Sequence, residues 1–98
     1  MSRPPLLSEH DVTRWLEDHP IWRVDDNHLV AFIASEFDLS VRILVDVVPE
    51  IERLNHHPRV EVAYEGLTIE LWTHDRGGIT HLDLDVASFI DDIAFRIS

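Results

Sequence analysis

From Asp38 onward the apolar residues Val41, Leu44, Val47, Val48, Ile51 and Leu54 fall at helical spacing and keep a single phase, which predicts one long amphipathic helix. Pro49 lies inside it. An interior proline removes the hydrogen bond to the Val45 carbonyl and costs about 3 kcal/mol, yet the stripe keeps its phase across the break. The expectation is therefore a kinked helix, ending near His57 because Pro58 follows. On either side of this segment the pattern changes to short alternating runs. Trp22 to Asp25 and His28 to Ser35 flank a polar turn at Asp26-Asn27, with Leu29, Ala31 and Ile33 on one face of the second run. Arg59 to Tyr64 and Leu67 to His74 flank Glu65-Gly66 in the same way.

Two capping boxes mark further helices. Ser8-Glu9-His10-Asp11 precedes Val12, Trp15 and Leu16, and that helix stops at His19-Pro20. Thr80-His81-Leu82-Asp83 precedes Val86, Phe89, Ile90, Ile93 and Ile97. The element order is α-β-β-α-β-β-α. Two antiparallel hairpins covered by helices predict an α+β, two-layer fold: a four-stranded antiparallel sheet with three helices on one face. With 98 residues, the chain 1–98 forms one domain, since two cores would each be too small to stabilise themselves.

A core of this size is modest, so self-association through an apolar face or a sheet edge is expected to add stability. The formal charge of −11 repels phosphate backbones, and the arginines, from Arg3 to Arg96, are scattered, so no direct nucleic-acid contact is expected. The absence of cysteine excludes a disulfide framework, a thiolate nucleophile and a thiolate metal site. Met1-Ser2-Arg3-Pro4-Pro5 leads into no apolar h-region, and no apolar run is long enough to span a bilayer. The expected compartment is the cytoplasm, with no membrane association.

The candidate chemistry lies in Glu52, His56-His57-Pro58, His74 and Asp83. Glu52 and His56 are neighbours on a helix face, so the carboxylate could orient that ring. His57 points about 100° away while the helix lasts. In the run Leu67 to His74, Leu67, Ile69, Leu71 and Thr73 face the helices, while Thr68, Glu70, Trp72 and His74 face outward. His74 thus stands at a strand end beside the Gly77-Gly78 loop. Histidines converging from a helix end and a strand end supply a proton donor and a proton acceptor near neutral pH. Asp83 is expected to be a helix-capping carboxylate. His10, His19 and His28 are read as surface residues, and Trp15 and Trp22 as packing.

These residues carry a resemblance. An acidic residue, three others, His-His-Pro, an aromatic residue, a His and then an Asp is the signature of the pterin-4a-carbinolamine dehydratases, and the chain supplies Glu52, His56-His57-Pro58, Tyr64, His74 and Asp83. Phe37 and Ala87-Ser88-Phe89-Ile90 extend the likeness, while Val60 stands where relatives often carry an aromatic residue. The resemblance implies a homodimer or homotetramer and loss of water from 4a-hydroxytetrahydropterin to give quinonoid dihydropterin. That reaction recycles the cofactor of aromatic amino-acid hydroxylases such as phenylalanine hydroxylase. It also implies His56 and His74 as the acid/base pair and His57 as a pterin holder, with Glu52 tuning His56. Pro58, Trp72, Thr73 and Asp83 are implied as substrate-binding or supporting residues. The pterin is the substrate, and no metal or tightly bound cofactor is implied. Two other readings compete: a non-catalytic dimerisation or assembly module of the same fold, and a metal site using His56, His57, His74 and His81.

Overall fold

Ser8 opens helix α1 (Glu9–Glu17), its hydroxyl accepting from the Asp11 amide at 3.0 Å, as the capping box requires. A computed structural model describes residues 4–97, the side chain of Ile97 excepted, so the expectations for Met1 to Arg3 and for that side chain lie outside the described residues. Strands β1 (Trp22–Asp25) and β2 (His28–Ala34) follow, joined by Asp26 and Asn27. Both turn residues have positive φ, 52° and 65°, the backbone that a two-residue hairpin turn demands and that Asp and Asn tolerate.

Helix α2 (Phe37–Leu54) runs unbroken through Pro49. Its inward face differs from the expected stripe: Ser40, Ile43, Val47 and Ile51 are buried, while Val41 and Val48 are exposed. The helix carries two adjacent apolar stripes, and periodicity alone merges them. Small Ser40 sits inward because its hydroxyl meets that of Ser35 at 2.6 Å, which satisfies a polar group that would otherwise be costly to bury.

The second hairpin pairs β3 (Arg59–Ala63) with β4 (Gly66–Leu71). The turn is Tyr64-Glu65, and Gly66 already belongs to the strand. A Cβ on Gly66 would lie 2.2 Å from the Ile33 carbonyl oxygen, so only glycine allows β2 and β4 to approach there. Strand β4 stops at Leu71, short of the expected His74, and Thr73 then forms an isolated bridge with Gly78. Helix α3 (His81–Ile97) completes the order α-β-β-α-β-β-α.

The sheet is antiparallel throughout, in the order β1-β2-β4-β3. Leu29, Ala31, Leu67, Ile69 and Leu71 project from one face into a single core with Val12, Ile43, Val47, Ile51, Val86 and Ile90 from the three helices. The other face carries the alternate residues, among them His28, Glu70 and Trp72. None of the helices among the described residues is long and apolar enough to cross a membrane.

Trp22 anchors the β1 end of this core. Its indole N–H donates to Asp91 Oδ1 at 2.8 Å, both residues being buried. Burial pushes the Asp91 carboxyl above its usual range, opposed in part by the Trp22 bond. A carboxyl raised in the folded state favours folding while protonated, and that contribution is lost as pH rises through its folded value. Asp91→Asn keeps an acceptor for Trp22 without the charge. Urea unfolding should find this variant more stable than wild type near neutral pH, with the advantage shrinking towards about pH 4. A variant less stable at neutral pH would contradict the assignment.

Candidate active site

Helix α2 ends in a way that decides where the histidine doublet points. Asn55 adopts the left-handed conformation (φ 49°, ψ 47°). Its N–H reaches the Glu52 carbonyl at 3.2 Å and the His56 N–H reaches the Ile51 carbonyl at 3.2 Å, a Schellman-type closure. The chain therefore leaves the helix before His56, and the two rings diverge by more than helical rotation. His56 is buried, whereas His57 is exposed.

The His56 ring meets Asp83, not Glu52. Its Nε2 lies 2.5 Å from Asp83 Oδ1, and since an ionised carboxylate only accepts, this nitrogen carries the proton. Asp83 is fully buried at the start of α3. Its second oxygen accepts from the Thr73 hydroxyl and from the Thr80 N–H, each at 2.9 Å. Because the Thr73 proton is committed to Asp83, the Thr80 hydroxyl donates to Thr73 Oγ1 at 2.8 Å. Asp83 is thus a cap, as expected, and also the partner that orients His56. No buried side-chain nitrogen or oxygen among the described residues lacks a hydrogen-bond partner.

Glu52 instead faces His57, with 3.5 Å between Oε1 and Nε2. Both side chains are largely exposed, so the pair is weak and solvent-screened. The expected Glu52–His56 contact fails because the helix no longer continues through position 56. Pro58 is half-buried and leads directly into β3. Tyr64, in the β3–β4 turn, is 82% exposed and away from these groups.

Asn55, His56, His57, Thr73, His74 and Asp75 line a cavity of about 200 Å³. The loop after β4 brings His74 there: the Thr73 N–H bonds the Gly78 carbonyl at 2.8 Å, and Gly77 (φ 68°) closes the turn onto the Thr73 carbonyl at 2.9 Å. The three histidines expected at the site thus share one cavity. A larger groove, about 460 Å³, lies beside Leu6, Val12, Val24 and Ile79, but among the described residues Glu9 is its only ionisable side chain. His81 is exposed and pairs with Asp85 at 3.3 Å. Among the described residues no three His, Cys, Asp or Glu side chains gather in a way that could hold a metal ion.

Trp72 stands on the outer face of the sheet, next to the cavity residue His74, with 4.5 Å between ring centroids. Two histidines read as surface residues have partners. His19 stacks on Trp15 at 3.8 Å, and His28 stacks on Trp72 at 4.0 Å while bonding Glu70. The His28 contact follows from strand register: Leu29 pairs with Leu71, so His28 comes opposite Trp72. Pairing between β2 and β4 is the signal that sequence patterning lacks.

Thr73→Val would leave Asp83 one donor short and the Thr80 hydroxyl without its acceptor. The expected cost is about 1–3 kcal/mol by urea unfolding. A change within about 0.5 kcal/mol, as at ordinary surface sites, would contradict the network.

Comparison with known proteins finds matches over most of the chain. Residues 5–93 match the family model described as pterin 4 alpha carbinolamine dehydratase. A Metallosphaera sedula protein, provisionally named as a pterin-4-alpha-carbinolamine dehydratase, is 38% identical over 90 residues, covering 91% of this chain and 94% of its own. One from Chloroflexus aurantiacus, provisionally named in the same way, is 32% identical, with coverages of 91% and 97%. Among solved structures, a transcriptional coactivator/pterin dehydratase from Brucella melitensis matches with a TM-score of 0.85 at 25% identity, over 91% of this chain and 98% of that one.

Proposed function

This chain belongs to the pterin-4-alpha-carbinolamine dehydratase family, and we propose that it removes water from a 4a-hydroxytetrahydropterin, giving the quinonoid dihydropterin by histidine acid/base catalysis. The carrying observation is the oriented His56, buried on Asp83 at one wall of a cavity that also holds His57 and His74. With Nε2–H committed to Asp83, His56 Nδ1 is the ring atom left to accept a proton.

The reaction breaks the bond from carbon 4a to its hydroxyl oxygen and forms a double bond from that carbon to the adjacent ring nitrogen. The hydroxyl leaves as water with one added proton, and the ring nitrogen loses its own. His56 takes the nitrogen proton, its imidazolium form stabilised by Asp83, and His74 delivers a proton to the departing hydroxyl. His57, with Glu52 behind it, binds the pterin at the rim. Protons balance over the step, and the pterin is substrate with no separate cofactor entering. The product would then be reduced, recycling tetrahydropterin for an aromatic amino-acid hydroxylase in the cytoplasm.

Oligomerisation is part of the proposal. Phe37, Val41, Val45 and Val48 form a continuous exposed stripe on α2, with Phe37 57% and Val45 61% exposed. Such a stripe supports a homodimer or homotetramer. It also favours a second reading, an assembly module, in keeping with the coactivator half of the Brucella melitensis protein's description. A module that only assembles has no need of an oriented buried histidine.

The test is to generate the carbinolamine and follow its dehydration optically, with His56→Ala and His74→Ala beside the wild type. Each variant should lose about a hundredfold or more in kcat. A wild-type rate equal to the spontaneous one would contradict the activity, and equal rates in all three proteins would contradict the residue assignment.

A further inference from the structure

We propose that Glu70, His28 and Trp72 form a positioning chain on the outer face of the sheet that fixes the His74 ring at the mouth of the cavity. The proposal rests on the reading of His74 as a proton-transfer group.

His74 needs such a support. It lies beyond the last residue of β4, in the turn between Thr73 and Gly78, and is exposed. Among the described residues no side-chain hydrogen bond or ion pair to its ring is present; its ring contact is with Trp72, centroids 4.5 Å apart and planes inclined at 32°. A histidine held only by its own rotamer preference spends much of its time misdirected, and misplacement by about 1 Å can cost a hundredfold in rate. A contact on the indole limits that freedom only if the indole is itself fixed.

The indole is held from the neighbouring strand. His28 of β2 lies against it nearly parallel, centroids 4.0 Å apart and planes at 7°. His28 is in turn tied down: its Nδ1 donates to Glu70 Oε2 at 2.5 Å, in a half-buried setting where the bond is worth more than in open water. Glu70, Trp72 and His74 alternate along one face, and His28 bridges the first two from β2. Any large rotation of Trp72 must displace His28, and displacing His28 breaks its bond to Glu70. Neither His28 nor Glu70 lines the cavity, so they act on a substrate only through Trp72 and His74.

Two readouts test the chain, with His28→Ala, His28→Phe and Glu70→Gln compared at equal folded fraction. The first is the NMR position of the His74 ring protons, which the Trp72 ring current should displace from that of a free histidine. In His28→Ala they should move towards the free position, and in His28→Phe, which keeps a flat ring against the indole but loses the bond to Glu70, they should move only part of the way. The second is dehydration of the carbinolamine. His28→Ala should lower kcat about tenfold with KM within about twofold, and His28→Phe, with the ring but not its tie, should restore part of the loss. Glu70→Gln, which keeps the stacked imidazole and only weakens its bond, should lose no more than His28→Phe. His74 resonances unchanged in His28→Ala would overturn the proposal, as would equal kinetic loss in His28→Ala and His28→Phe. A wild type without dehydratase activity would remove the proposed function, while the ring-proton shifts would still decide whether the chain orients His74.

Discussion

Asp83 sits fully buried where three elements meet, and an unpartnered carboxylate there would cost on the order of several kcal/mol. Three donors make the position tenable: the His56 ring from just beyond α2, the Thr73 hydroxyl from just beyond β4, and the Thr80 backbone at the start of α3. The same contacts fix the relative placement of these elements around the cavity. Stability and site geometry therefore share one group: capping a helix brings a carboxylate to the depth at which it can hold an imidazole. Breaking this junction leaves a buried charge or an unpaired donor, whichever partner is removed.

Much of the frame was legible in the sequence because it depends on local rules. Ser8 and Thr80 announce their helices by capping chemistry, Asp26-Asn27 announces a tight turn, and the alternating runs announce the strands. The element order and the convergence of His56, His57 and His74 follow from that frame together with the family signature. The rest is hidden where a tertiary choice overrides a local pattern. The inward face of α2 is set by Ile43 and by Ser40 meeting Ser35, which periodicity cannot separate from the adjacent stripe of Val41 and Val48. The partner of His56 is not legible in the helical spacing because one left-handed residue, Asn55, ends the helix before Glu52 can reach that ring. His28 looked solitary because its partners are supplied by β2–β4 pairing, which joins residues far apart in the chain.

The two faces of the sheet do different work. The inner face is apolar up to Leu71, then becomes polar at Thr73, where the Asp83 network begins. The outer face carries the Glu70, His28 and Trp72 contacts that end at His74. His56 thus has its contact on the core side and His74 its contact on the solvent side, an arrangement that suits the opposite proton-transfer roles proposed for the two imidazoles.

The most direct measurement is the tautomer of His56, read from the nitrogen NMR shifts of its ring in the neutral form. A proton fixed on Nε2, with Nδ1 bare, is the expected result, and Asp83→Asn should weaken that preference. A proton on Nδ1, or two tautomers in exchange whose balance ignores Asp83→Asn, would contradict the role given to the Asp83 junction.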